Sequence, residues 1–386
     1  MCDCGVRDAG ATRPDTHRGP AVAGPRWGRR DLLRASAVGG GGALLGLAGA
    51  GQALAAPTEA ATPASDPSRT RGLEVVLLGT AAGPVNVTEQ AGASTAVVVD
   101  GAIYLVDAGL GATRQFAAAG LDRTALRHMF ITHLHSDHLM SYYDFILTGT
   151  AHARQPVAVY GPGSAGRLPV EEDGSTPGTV APDHPTPGIK RHTEACHAAF
   201  AYSSNVFMRD TGNADPRDMT DVHEIRFPDV GASARGNTAP PMRPFTVMED
   251  DRLKVTAVLV PHGPVFPSFA FRFDTDHGSV TFSGDTRPTP NLVELARNTD
   301  LLVHEAMSDA SMVGSEIRAR HMRTSHTAVS EVGSVAERSG AARLVLSHYG
   351  DTSGEGVDPA RWRSTIKKSY AGPTTIGTDL MRLTVG

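Results

Sequence analysis

The run Thr132-His133-Leu134-His135-Ser136-Asp137-His138 places three imidazoles and a carboxylate within six residues, directly behind the apolar stretch Met129-Phe130-Ile131. A short apolar run bounded by polar residues reads as a buried strand. Side chains alternate along a strand, so His133 and His135 point the same way at its end. The turn beyond must bring Asp137 and His138 round to join them. Two pairs of ligands from one segment can serve two adjacent metal ions. Imidazole with carboxylate suits zinc, and also manganese or iron. A single histidine is ordinarily a satisfied polar side chain. Four ionisable groups crowded behind a buried strand are costly unless something pairs them.

The rest of the chain supplies comparable positions. His262, Asp285, Glu305 and His348 each follow an apolar strand and sit at its exit. Ligands at strand ends converge on one edge of a sheet, where open α/β folds place their sites. With the four residues of the first motif, His262, Asp285 and His348 complete a set of seven metal ligands.

The elements that must carry these residues alternate as an α/β layered domain would. Strands are expected over 73–80, 94–100, 102–107 and 155–160, with Asp100-Gly101 as a hairpin turn. Short helices are expected over 112–119 and 138–149. Residues 164–245, rich in Pro, Gly, His and Asp, break this rhythm. A structureless loop of that length is improbable in a compact domain. The segment is therefore expected to be an insertion or lid, with a helical piece near 193–202. Strands then resume over 253–260, 268–274, 279–283, 300–306, 342–346 and 380–384. Helices are expected over 291–297, 326–339 and 359–370, the second capped by Thr324 or Ser325.

The 386 residues carry a formal net charge of −5 with mixed signs. That composition lacks the basic field of a dedicated nucleic-acid binder. Arg29-Arg30-Asp31 precedes a small, apolar run from Ala35 to Ala50, and Ala53-Leu54-Ala55 offers a cleavage site. Residues 1–56 are expected to be a twin-arginine export signal. Residues 57–71 would be a linker and 72–386 the folded hydrolase domain. The product would be periplasmic, in the cell envelope or extracellular, with no stable membrane insertion after cleavage. Of the three cysteines, Cys2 and Cys4 fall in the removed part, leaving Cys196 without an intrachain partner.

The segments His133-Leu134-His135-Ser136-Asp137-His138, Val260-Pro261-His262, Ser283-Gly284-Asp285-Thr286, His304-Glu305-Ala306, His326-Thr327-Ala328 and Leu346-Ser347-His348-Tyr349 together resemble the metallo-β-lactamase superfamily. Within it they resemble the ribonuclease Z-like branch, which also takes in arylsulfatase-like hydrolases. The resemblance implies an αββα sandwich with two zinc ions at one edge. It implies His133, His135 and His262 on one ion, Asp137, His138 and His348 on the other, and Asp285 between them. Asp137 would also orient the attacking hydroxide. His326 would donate a proton or hydrogen bond to the reacting oxygen, and Glu305 would orient His326. His304 reads as structural. Homodimers are common in this branch.

Such a centre generates hydroxide at ordinary pH and clamps a charged transition state, but the fold does not choose the substrate. A protonated histidine favours phosphodiesters or sulfate esters. Export speaks against precursor transfer RNA, and the 164–245 segment is not strongly basic. These points favour a small anionic ester over nucleic acid. The alternatives are a ribonuclease Z-like endoribonuclease, a zinc lactonase or β-lactamase, and a metal-binding module without catalysis.

Overall fold

The structure is a computed structural model, and it describes residues 71–83, 90–151, 155–170 and 178–386. The expected export signal, and all of the linker except Arg71, lie outside the described residues.

Among the described residues, fourteen strands form two seven-stranded sheets. The first half of the chain runs β1 (Leu73–Gly79), β2 (Ser94–Val99), β3 (Ala102–Val106), α1 (Ala112–Ala118), β4 (Leu126–Phe130), α2 (Tyr142–Gly149), β5 (Val157–Pro162), α3 (Ile189–Ala199), α4 (Ala201–Asp210) and β6 (Thr220–Ile225). The second runs β7 (Phe245–Glu249), β8 (Leu253–Leu259), β9 (Phe269–Thr275), β10 (Gly278–Phe282), α5 (Pro290–Leu295), β11 (Leu301–Met307), α6 (Glu316–Ser325), α7 (Val329–Ser339), β12 (Leu344–Gly350), α8 (Pro359–Ile366), β13 (Thr374–Ile376) and β14 (Arg382–Val385). The sheet orders are β14-β1-β2-β3-β4-β5-β6 and β13-β12-β11-β10-β9-β8-β7. In both, antiparallel hairpins give way to parallel strands fed through helices.

The period-two alternation of side chains builds the layers. Leu73, Val75 and Leu77 face the core shared by the two sheets, with Val255, Ala257, Leu259 and Phe271 opposite. Val76 and Leu78 point outward and pack under α1, α2 and α3 with Phe116, Tyr142 and Ile189. On the other side Val258 and Val260 pack under α5, α7 and α8 with Leu292, Val332 and Trp362. The result is the expected αββα arrangement. The β2–β3 turn uses Asp100 (φ 47) and Gly101 (φ 82), the two left-handed residues that a tight two-residue hairpin requires.

Some expectations need revision. The 138–149 helix begins only at Tyr142, after a separate turn of 3-10 helix over Ser136–His138. His326 does not start a helix. It is the extended C-cap residue of α6 (φ −133, ψ 164), and α7 begins at Val329. α6 has few apolar residues and so leaves a weak periodic trace. Within 164–245 the structure shows α3, α4 and β6, and β6 is the outer strand of the first sheet. Among the described residues no helix is long and apolar enough to cross a membrane.

Candidate metal centre

The parallel strands aim their C-terminal ends at one edge. β4 delivers His133 and His135, β8 delivers His262, β10 delivers Asp285, β11 carries Glu305 and β12 carries His348. Together they form two adjacent groups with ligand atoms within 4.8 Å of one another, His133–His135–His262 and Asp137–His138–His348. In the first, His262 Nε2 approaches His135 Nδ1 at 3.1 Å. In the second, His348 Nε2 lies 3.2 Å from His138 Nε2 and 3.2 Å from Asp137 Oδ2.

Asp285 stands between the groups. Its Oδ2 lies 3.9 Å from His133 Nε2 and 3.8 Å from His262 Nε2. Its Oδ1 lies 3.5 Å from His138 Nε2 and 3.2 Å from His348 Nδ1. One carboxylate thus offers one oxygen to each group.

Electrostatics favour cations here. Burial pushes His133 well below the usual histidine range and His262 down to about 3, which leaves lone pairs free to ligate. Burial opposes ionisation of Asp285 and Asp137, yet the surrounding histidines outweigh it and hold both carboxylates ionised. His138 is driven up, its burial overcome by Asp285 and Asp107. His133 Nε2, Asp285 Oδ1 and His348 Nδ1 are buried without a hydrogen-bond partner. Buried polar atoms are normally satisfied, so converging orphaned nitrogens and oxygens match a metal site. Zinc, manganese or iron would fit this donor set.

The supporting residues are as specific. Asp107, at the exit of β3, accepts from the Thr132 amide, the Thr132 hydroxyl and His138 Nδ1, each at 2.8 Å. This carboxylate–histidine pair fixes which His138 nitrogen faces the site. Asp107 is not among the residues expected from the sequence, although it too is an acid at a strand exit. His262 Nδ1 donates to the Ser325 carbonyl at 2.9 Å. Gly83 comes so close to Asp137 that a Cβ there would collide with its carboxylate.

Glu305 binds two loops. Its Oε1 accepts from the Thr286 amide at 3.1 Å and the Thr327 amide at 3.0 Å. It also lies 3.3 Å from His326 Nδ1, within ion-pair reach though not aligned as a hydrogen bond. Burial works against charge on His326, but Glu305, aided by Asp285 and Asp137, raises it to about 9. The His326 ring centroid is 5.1 Å from that of His262 and 6.3 Å from that of His348. His304 is fully buried, with Nδ1 at 2.6 Å from the Glu305 carbonyl. Cys196 is partly buried on α3, belongs to neither group, and lies 3.6 Å from His192 Nε2.

Comparison with known proteins agrees with this geometry. A beta-lactamase superfamily domain is matched over residues 207–349. The chain is 31% identical to ribonuclease Z of Mycobacterium sp. (strain KMS) over 322 residues, 81% of this chain and 96% of that one. It is 29% identical to ribonuclease Z of Mycobacterium bovis (strain BCG / Pasteur 1173P2), over 81% of this chain and 98% of that one. The fold is similar to that of human tRNase Z, short form, with TM-score 0.55, 21% identity and coverage of 81% and 99%. It is also similar to the metallo-beta-lactamase fold protein YhfI from Bacillus subtilis, with TM-score 0.53, 16% identity and coverage of 81% and 99%.

These relatives overturn the choice of a small anionic ester over nucleic acid, because they are ribonucleases matched over nearly their whole length. Net charge misled because it averages over the chain. Locally, α6 carries Arg318, Arg320 and Arg323 against one acid, Glu316, and ends at His326. The chain belongs to the metallo-β-lactamase superfamily, as a relative of the ribonuclease Z proteins, and is a metal-dependent hydrolase.

Proposed function

We propose that the chain is a two-metal phosphodiesterase that cleaves RNA, with transfer RNA, named in the human relative, as the first substrate to test. The observation that carries this reading is Asp285, which offers one carboxylate oxygen to each of two histidine-containing groups. His133, His135 and His262 would hold one ion, Asp137, His138 and His348 the other, and Asp285 both. Two such ions supply Lewis-acid polarisation of phosphoryl oxygens and an activated water.

The chain's own side chains do the rest. Asp137 orients the attacking water through its carboxylate, whose Oδ2 lies 3.2 Å from His348 Nε2. His326, held by Glu305 at Nδ1, keeps Nε2 for the departing oxygen and gives it a proton as the P–O bond breaks. The exposed arginines Arg318 and Arg323 lie on α6, the helix that ends at His326, and their positive charge suits a polyanion better than a neutral lactone.

Two measurements test the reading. Elemental analysis should give about two transition-metal ions per chain, as a two-metal site requires. Full activity in metal-free protein would sink it. Precursor transfer RNA should then be compared with bis-(4-nitrophenyl) phosphate, 4-nitrophenyl sulfate, a lactone and nitrocefin. RNA cleavage should dominate, and a preference for the sulfate, the lactone or nitrocefin would replace this reading.

A further inference from the structure

A groove of about 1080 Å3 opens between the outer strands of the two sheets, β6 and β7. Its walls include Lys190 on α3, Tyr160 on β5, His223 on β6, Arg226 and Phe227 just beyond β6, and Phe266 between β8 and β9. None of these residues takes part in the metal centre.

The groove lies on the catalytic edge. β4, β5 and β6 are parallel neighbours, so their C-terminal ends share one edge. His133 follows β4, and Arg226 and Phe227 follow β6 on that same edge. Phe266 comes four residues after His262 in the opposite sheet. Phe227 packs edge-on against Phe266 at 6.0 Å and Phe269 at 6.1 Å between centroids. The Phe269 amide in turn donates to the Thr132 carbonyl at 2.9 Å, next to His133.

The chemistry of the walls is mixed in a particular way. Phe227 and Phe266 are half-buried rings. Tyr160 and His223 are stacked at 4.9 Å with an interplanar angle of 14°. Lys190 and Arg226 are exposed, and neither makes an ion pair among the described residues. Glu224, the acid on this wall, lies against Gly188, where no Cβ would fit. Aromatic faces beside unpaired cations are the means by which proteins hold single-stranded nucleic acid, with bases on the rings and phosphates on the cations. The volume exceeds the roughly 300–1,000 Å3 of a small-molecule pocket and suits several nucleotides. A duplex would hide its bases from these rings.

We propose that this groove binds the single-stranded RNA segment that adjoins the cleaved bond, with Lys190 and Arg226 on its phosphates and Phe227 and Phe266 against its bases. This rests on the RNA-cleaving reading and adds a second site to it. The test uses the full, metal-loaded chain and the double variant Lys190→Ala/Arg226→Ala, whose side chains are exposed. The probes are a precursor transfer RNA with a long single-stranded 3′ extension and one with a single-nucleotide extension.

With the long extension, KM should rise about tenfold, and the dependence of binding on log salt should flatten by about 1.4, as for two lost phosphate contacts. The short extension, kcat and the turnover of bis-(4-nitrophenyl) phosphate should stay unchanged. Phe227→Leu, which keeps an apolar contact to Phe269, should weaken binding of the long extension alone. If the parent protein cleaves RNA and the double variant keeps its KM and salt slope, the groove proposal is overturned and the RNA reading stands. If the parent neither binds nor cleaves RNA, both fall.

Discussion

Asp107 holds a left-handed backbone conformation, φ 58, in order to aim its carboxylate at Thr132 and His138. His348, with φ 52, is the other non-glycine residue of the centre in that region. Such conformations cost on the order of 1–3 kcal/mol and persist where surrounding contacts impose them. Asparagine tolerates this backbone but lacks the charge. Asp107→Asn should therefore leave the fold intact and weaken metal binding about 10–100-fold, measured by competition with a chelator. Unchanged affinity would show that His138 needs no such partner. His326→Ala should lower kcat by about 10²–10⁴ while metal content stays constant, and equal turnover would remove His326 from the reaction. The 133–138 motif was legible because its residues are neighbours in the chain. Asp107 was not, because it meets His138 across 31 positions and its backbone angle leaves no mark in composition.

At the level of elements, strands were easier to read than helices. β1, β2, β3 and β12 are apolar runs buried along nearly their whole length, whereas the half-exposed outer strands β6 and β7 and the three-residue β13 went unread. α6 escaped because it is a basic surface helix, and with it went the position of His326. Strand β4 shows a different consequence of burial. Its His128 stacks on Tyr104 at 5.4 Å and lies 3.6 Å from Asp250. Burial lowers its pKa, Asp250 partly restores it, and Arg127 and His223 lower it further. The folded chain therefore binds this proton less readily than the unfolded chain. The contribution of His128 to stability is present above the unfolded value near 6.5 and is lost as pH falls through that value toward the folded one. His128→Phe keeps the stacked ring and removes the proton. Denaturant unfolding at pH 7.5 and 5.5 should show a smaller acid loss in this variant than in the parent. Equal losses would assign the acid limb to other groups.

Across the whole molecule, each ligand group draws on both sheets. His133 and His135 come from the first and His262 from the second, and Asp137 and His138 from the first meet His348 from the second. Bound cations would therefore hold the halves together. Removing them with a chelator should destabilise the chain by roughly 3 kcal/mol, the value for a ligand at about 100 times its Kd, and lower its melting temperature. An unchanged melting temperature would mean that the sheets dock without help. Export remains a proposal drawn from Arg29-Arg30. Arg29→Lys/Arg30→Lys should keep the protein in the cytoplasm on fractionation, and unaltered distribution would remove the signal. The pairing of Leu73 with Val385 has a bearing on synthesis. Strand β1 lies between β2 and β14, so its outer partner is made some 312 residues later. Closure across so great a separation is slow, and β1 must wait beside β2 with one edge open. An open strand edge invites pairing with other chains. A nascent or truncated chain lacking β14 would expose that edge to aggregation.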